Sequence, residues 1–113
     1  MSAKYNLVCE QGTTFNFQFQ IKDDNTPRNI TSNSVTMTVR PFVGASTTTV
    51  VASTTNGRIT VDGPNGRITV NIPSSVTAGF DASRHVYDLI LDSGVTITRI
   101  LEGKFVVTPA VTV

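Results

Sequence analysis

Chemistry in this chain has few places to start, because it contains one histidine and one cysteine. His85 has Asp81 and Asp88 nearby, so with a serine it could form a nucleophile, base and orienting acid, as acyl transfer requires. No GxSxG elbow or comparable turn accompanies it. The expectation is therefore a surface or corner histidine and no catalytic residue. Cys9 alternates with Tyr5 and Leu7, which points it into a core as a small hydrophobe rather than a reactive thiol. A lone cysteine also excludes an intrachain disulfide and any cysteine-based zinc site.

Other ligand-bearing patterns are weak. Asp23, Asp24 and Asn25 could offer oxygens to calcium, but the spaced acids and closing glutamate of an EF-hand are missing, so a solvated turn is expected. No phosphate-binding glycine loop is present, and no pair of carboxylates is marked for glycoside hydrolysis. Asn29-Ile30-Thr31 is formally a glycosylation sequon, expected to be unused because MSAKYNLV lacks the apolar core of a signal peptide. The reading is no enzyme, no cofactor and no metal.

The elements that would have to position any site are strands. Of the 113 residues, 39% are hydrophobic and 15% charged, with threonine and valine prominent, a mix that suits pleated and half-buried surfaces. Phe15, Phe17, Phe19 and Ile21 alternate with polar residues over Thr14 to Lys22, the period of a strand with one buried face. A shorter strand is read over Tyr5 to Glu10, with Gln11-Gly12 as the turn. Val35, Met37 and Val39 mark another strand, and a short one follows around Thr48 to Ala52. Pro73 to Ser83 loses the alternation. It reads as a crossover with a turn of helix, Ser74 or Ser75 at its N-cap, and Val76 and Phe80 pinning it to the core.

NGRITV occurs twice, at 56–61 and 65–70, around Asp62-Gly63-Pro64. Pro64-Asn65 flanked by glycines is a type I turn signature. It sets Val61 opposite Ile68, Thr60 opposite Thr69, Ile59 opposite Val70 and Asp62 opposite Arg67, so the repeat is read as the two arms of one hairpin. A second hairpin is read around Ser93-Gly94. It pairs Asp92 with Val95, Ile90 with Ile97, Asp88 with Arg99 and Val86 with Leu101. Both faces of that hairpin then carry large apolar side chains. Gly103 is read as the mark of a bulge. The Asp88–Arg99 pair either orders a core or lies at a subunit contact; if exposed, it contributes about 0–1 kcal/mol.

The expected fold is an all-β, antiparallel, immunoglobulin-like β-sandwich of seven or eight strands, a single domain over residues 1–113, with a small β-barrel as runner-up. Tyr87 is placed like the tyrosine of a tyrosine corner, although the paired cysteines and core tryptophan of antibody domains are absent. Phe105 to Val113 carries no charge. It either pairs within its own sheet or adds to a neighbouring subunit. Phe105, Val107, Pro109, Val111 and Val113 are thus the first candidates for a protein interface, and Arg58 and Arg67 beside the 62–66 hairpin tip the second.

Partners follow from charge. The net charge is +1, with no Lys/Arg cluster to meet phosphates, so no nucleic acid is expected. No apolar run approaches the roughly 20 residues that cross a bilayer, so no membrane is expected. The chain resembles small structural proteins of tailed bacteriophages, including T4-like phages of marine bacteria. The resemblance lies in YNLVCEQGTTFNFQFQIKDDN, NITSNSVTMTVR, TTNGRITVDGPNGRITVNIPSSVTAGF and VYDLILDSGVTITRILEGKFVVTPAVT, nearly the whole chain. Such proteins are similar to the immunoglobulin-like N-terminal modules of phage baseplate upper proteins. The resemblance implies a non-enzymatic virion part, assembled in the host cytoplasm, that docks other virion proteins; pairing with copies of itself is the alternative that the uncharged C-terminal segment leaves open. Because the sequence ends at Val113 with no fibre domain, a tail or baseplate adaptor is expected, with a capsid decoration protein as alternative. A glycan-binding module is disfavoured by two tyrosines and no tryptophan.

Overall fold

The computed structural model describes residues 3–111. In chain order the strands are β1 (Ala3–Lys4), β2 (Leu7–Glu10), β3 (Phe15–Gln20), β4 (Lys22–Asp23), β5 (Thr26–Pro27) and β6 (Ser34–Arg40). They continue as β7 (Val50–Ser53), β8 (Ile59–Asp62), β9 (Arg67–Ile72), the helical turn α1 (Ser74–Thr77), β10 (Arg84–Asp92) and β11 (Ile97–Thr108). Two sheets pack face to face. One is ordered β1-β11-β10-β6-β7, with β2 also paired to β11, and the other β3-β9-β8. The small β4–β5 hairpin stands apart from both. With β1 and β2 as one interrupted strand, the sandwich has eight strands among the described residues, within the seven or eight expected.

Each sheet turns its period-two apolar face inward. Val35, Met37 and Val39 of β6, Leu89 of β10 and Phe105 of β11 face Ile68, Val70 and Ile72 of β9. Burying each such side chain contributes about 1.5–3 kcal/mol relative to leaving it exposed. Phe15 packs edge-on against Phe105, with ring centroids 5.2 Å apart. Phe17 and Phe19, on an edge strand, are only half-buried, and Tyr5 stacks on Phe17 at 5.6 Å.

The repeated hexapeptide forms β8 and β9 in the expected register, Ile59 to Val70 through Asp62 to Arg67. Gly66 N–H donates to the Gly63 carbonyl at 3.2 Å, closing the turn over Pro64-Asn65. The two glycines have a further reason to be there. Ile30 N–H donates to the Gly63 carbonyl and Ile21 N–H to the Gly66 carbonyl, each at 2.8 Å. A Cβ at Gly66 would run into the Arg28 carbonyl. The 28–31 loop therefore lies directly against the hairpin tip.

The β10–β11 hairpin differs from the sequence expectation. Its loop is four residues, Ser93 to Thr96, not the two of Ser93-Gly94. The Asp92 carboxylate accepts from Gly94 N–H at 2.8 Å and the Ser93 hydroxyl from Thr96 N–H at 3.0 Å. These side chains cap the wider loop and shift the register by two, so Asp92 pairs with Ile97 and Ile90 with Arg99. A bulge then places Ile100 and Leu101 together against Leu89. The extra residue reverses the alternation and turns Leu101 into the core. The bulge is thus at Ile100, not Gly103.

Gly103 answers a different demand. β1 and β2 run parallel to β11, with Lys4 beside Glu102 and Leu7 beside Phe105. Between them the Tyr5 carbonyl descends onto Gly103, where any Cβ would strike it. Tyr5 N–H donates to the Glu102 carbonyl at 2.9 Å, and Asn6 Oδ1 accepts from Lys104 N–H at 3.1 Å. The Tyr87 hydroxyl donates to that same Tyr5 carbonyl at 2.5 Å. It reaches the N-terminal strand, not the backbone a few residues upstream, so it is not a tyrosine corner.

The crossover is also pinned differently. Pro73 holds the N-cap position of α1, with no side-chain cap from Ser74 or Ser75. Phe80 is buried and Val76 half-buried, as expected. Thr77 is fully buried and donates to the Thr13 carbonyl at 2.7 Å.

Gly103→Ala is expected to cost about 1–3 kcal/mol, by overpacking against a backbone that cannot swing aside. Gly79→Ala adds a Cβ at an ordinary 3.6 Å from its nearest neighbour and is expected to stay within about 0.5 kcal/mol. Urea unfolding of the two variants side by side checks this, and equal stabilities would refute the close approach.

Candidate functional site

The residue types able to do chemistry are held in structural roles. His85 is 3% exposed, not at the surface. Nε2 lies 3.0 Å from the Asp81 carbonyl and Nδ1 2.9 Å from the Thr49 hydroxyl. A carbonyl only accepts, so Nε2 carries the proton and Nδ1 accepts from Thr49. The Ser83 hydroxyl is 3.3 Å from Nε2, but that nitrogen already donates and has no free lone pair to act as a base. Asp81 contributes its backbone, and Asp88 lies on the opposite face of β10. Sequence neighbours that resembled a triad do not assemble as one.

Cys9 is 1% exposed beside Leu7 on the core face of β2. Burial, with a smaller push from Glu10, raises its pKa to about 11. Asp24 and Asn25 both have positive φ, 50° and 67°, the pattern of a type I′ turn joining β4 to β5. Asp23 faces Arg28 at 4.0 Å. Among the described residues no three potential metal ligands cluster, and no helix is long and apolar enough to cross a membrane.

An open concavity lies on the outer face of the larger sheet, a groove of about 540 Å³. Its floor crosses Thr38 of β6, Val86 and Asp88 of β10, and Glu102 of β11. One wall is the N-terminal strand with Lys4 and Asn6, and the other is the Val43-Gly44 turn after β6. Arg40 holds that second wall in place, donating to the carbonyls of Ala45 at 3.0 Å and Thr47 at 3.3 Å. Four cationic side chains against two carboxylates line the groove, leaving it two charges positive. Arg99 sits 3.4 Å from Asp88 and 3.7 Å from Glu102. The Asp88–Arg99 pair singled out in the sequence therefore forms, but diagonally, half-exposed and outside the core. Lys4 and Lys104 have no ion-pair partner among the described residues. Val43 is 85% exposed at the rim.

The expected interface residues separate. Phe105 and Val107 are core, 0% and 2% exposed. The tail through Thr108 pairs within its own sheet, between β10 and β2, so these two side chains have no surface to present. Pro109 and Val111 are exposed beyond the strand, and Val113 lies outside the described residues. Arg58 reaches back to the Val51 carbonyl at 3.1 Å and covers an edge of β7. Arg67 is exposed beside the hairpin tip. The groove residues Lys4, Arg40, Val43 and Lys104 went unmarked, because they come from three separate segments: β1, the end of β6 with its following turn, and β11. The only sequence signal for the groove was the charge pair at Asp88 and Arg99.

No protein-family model matches the chain, and no curated protein matches it. Among solved structures, the N-terminal domain of phage TP901-1 ORF48 shares its fold, with a TM-score of 0.57 over 90% of this chain and 83% of that one. The two are 12% identical. The fold is thus a β-sandwich with an open groove, lined by charged and apolar side chains, on the outer face of its larger sheet.

Two outcomes follow. Cys9 is expected to resist thiol reagents in the native protein and to react once urea unfolds it. Because the raised pKa favours the neutral thiol, the associated stability is intact below pH 9 and is lost as pH rises towards 11; Cys9→Ala is expected to remove that part of the alkaline loss. His85→Ala is expected to cost about 2–4 kcal/mol in urea unfolding, from the cavity and the stranded Thr49 and Asp81 groups. A cost under about 0.5 kcal/mol would contradict the structural role.

Proposed function

We propose that this chain is a non-enzymatic structural part of a bacteriophage particle, associated with the tail or baseplate and acting by protein–protein contact. The observation that carries the reading is the shared fold with the N-terminal domain of phage TP901-1 ORF48, which spans most of both chains. The sequence resemblance to small phage structural proteins points the same way. The T4-like, marine affiliation rests on that resemblance alone.

The surface supports contact as the mode of action. His85 and Cys9 are committed inside the fold, while the groove and the loop tips are available. Pro109 and Val111, past the last strand, and Arg67, beside the hairpin tip, are proposed as further contact points with other virion proteins or with copies of this chain. The location is proposed as the virion.

Immunogold labelling of intact particles with antibody to the purified chain tests this. Label at the tail or its distal end is the expected result. Label spread over the capsid shell would replace the adaptor with the decoration protein, and particles free of both label and chain by mass spectrometry would overturn the virion reading.

A further inference from the structure

We infer that the groove on the outer face of the larger sheet is a docking site for an extended, acidic segment of another virion protein, read by Lys4 and Lys104. This deepens the proposed function and rests on it.

The argument begins with charge already spent. Of the four cations in the groove, Arg99 is neutralised by Asp88 and Glu102, and Arg40 is bonded to the carbonyls of the wall it supports. Lys4 and Lys104 make no ion pair among the described residues, and they stand on the same face of neighbouring strands. Lys4 stands in register with Glu102, so Lys104 is two residues further along β11, roughly 6.6 Å at strand rise. Same-face side chains of an extended peptide repeat at that spacing. A segment with carboxylates at alternate positions, laid along β11, meets both lysines. Its other contacts are apolar: Val86 in the floor and Val43 at the rim.

The same features disfavour other occupants. A nucleic acid would bring a phosphate track over Asp88 and Glu102, which are fixed in the floor, and finds only two unspent cations. Those two carboxylates also require the partner's charges to be placed, not diffuse, which favours alternation over an acidic run.

The probe is a short labelled peptide alternating glutamate with threonine, titrated into the full chain by fluorescence anisotropy at low salt. Its counterpart alternates glutamine with threonine. The glutamate peptide is expected to bind and to weaken as salt rises. The double variant Lys4→Glu, Lys104→Glu is expected to weaken it about tenfold, since an exposed charge pair is worth roughly two- to fivefold and reversal acts at both positions. Lys22→Glu, on the small β4–β5 hairpin, is expected to leave the affinity unchanged. Circular dichroism melts confirm that each variant is folded.

Equal affinity in the double variant, or equal binding of the glutamine peptide, would overturn the inference. So would tighter binding of an oligonucleotide or acidic polysaccharide at the same lysines, or self-association by light scattering that the double variant abolishes. The two readings fail separately. Unlabelled particles overturn the virion assignment whatever the peptide does, and labelled particles with an indifferent double variant overturn the groove alone.

Discussion

The architecture depends on one close approach, the Tyr5 carbonyl resting on Gly103 and receiving the Tyr87 hydroxyl. Only a residue without a Cβ allows the N-terminal strand so near β11. From that contact the strand continues parallel to β11, and Leu7 and Cys9 close the core beside Phe105. Without it β11 would be an open edge, long, apolar on one side and prone to pairing with other chains. The uncharged C-terminal segment, an aggregation hazard in isolation, is instead covered on both sides.

The same contact shapes the outer surface. By laying Lys4 beside Glu102 and Asn6 against Lys104, it raises one wall of the groove. Arg40 raises the other through two carbonyl bonds to its own loop. A flat sheet face becomes concave because strands distant in sequence are brought side by side. The groove is therefore tied to fold integrity.

The reactive residue types serve the interior. His85 joins Thr49 to the Asp81 backbone and so ties the loop before β7 to the start of β10. Arg58 and Asn56 both donate to the Val51 carbonyl, at 3.1 and 2.9 Å, blocking an exposed strand edge. Such capping keeps a sandwich from pairing indiscriminately, and leaves specific contact to side chains that the fold leaves exposed. A phage domain shares this fold at 12% identity, so packing and register can be kept while most residues differ.

What the sequence determined by itself was local. Alternation marked β3, β6 and β9, because a strand with one buried face must repeat every two residues. The NGRITV hairpin was legible down to its register, since Pro64 and the flanking glycines set the turn and apolar residues had to face apolar ones. Tertiary structure decided the rest. The 93–96 loop widened because the Asp92 and Ser93 side chains could cap backbone donors there, and the Ile100 bulge then moved Leu101 from one face to the other. Tyr87 found its acceptor 82 positions away, and Gly103 was needed for a neighbour that only the assembled sheet supplies. Lys4, Arg40, Val43 and Lys104 became one groove for the same reason: their proximity follows from strand order, which no local pattern encodes.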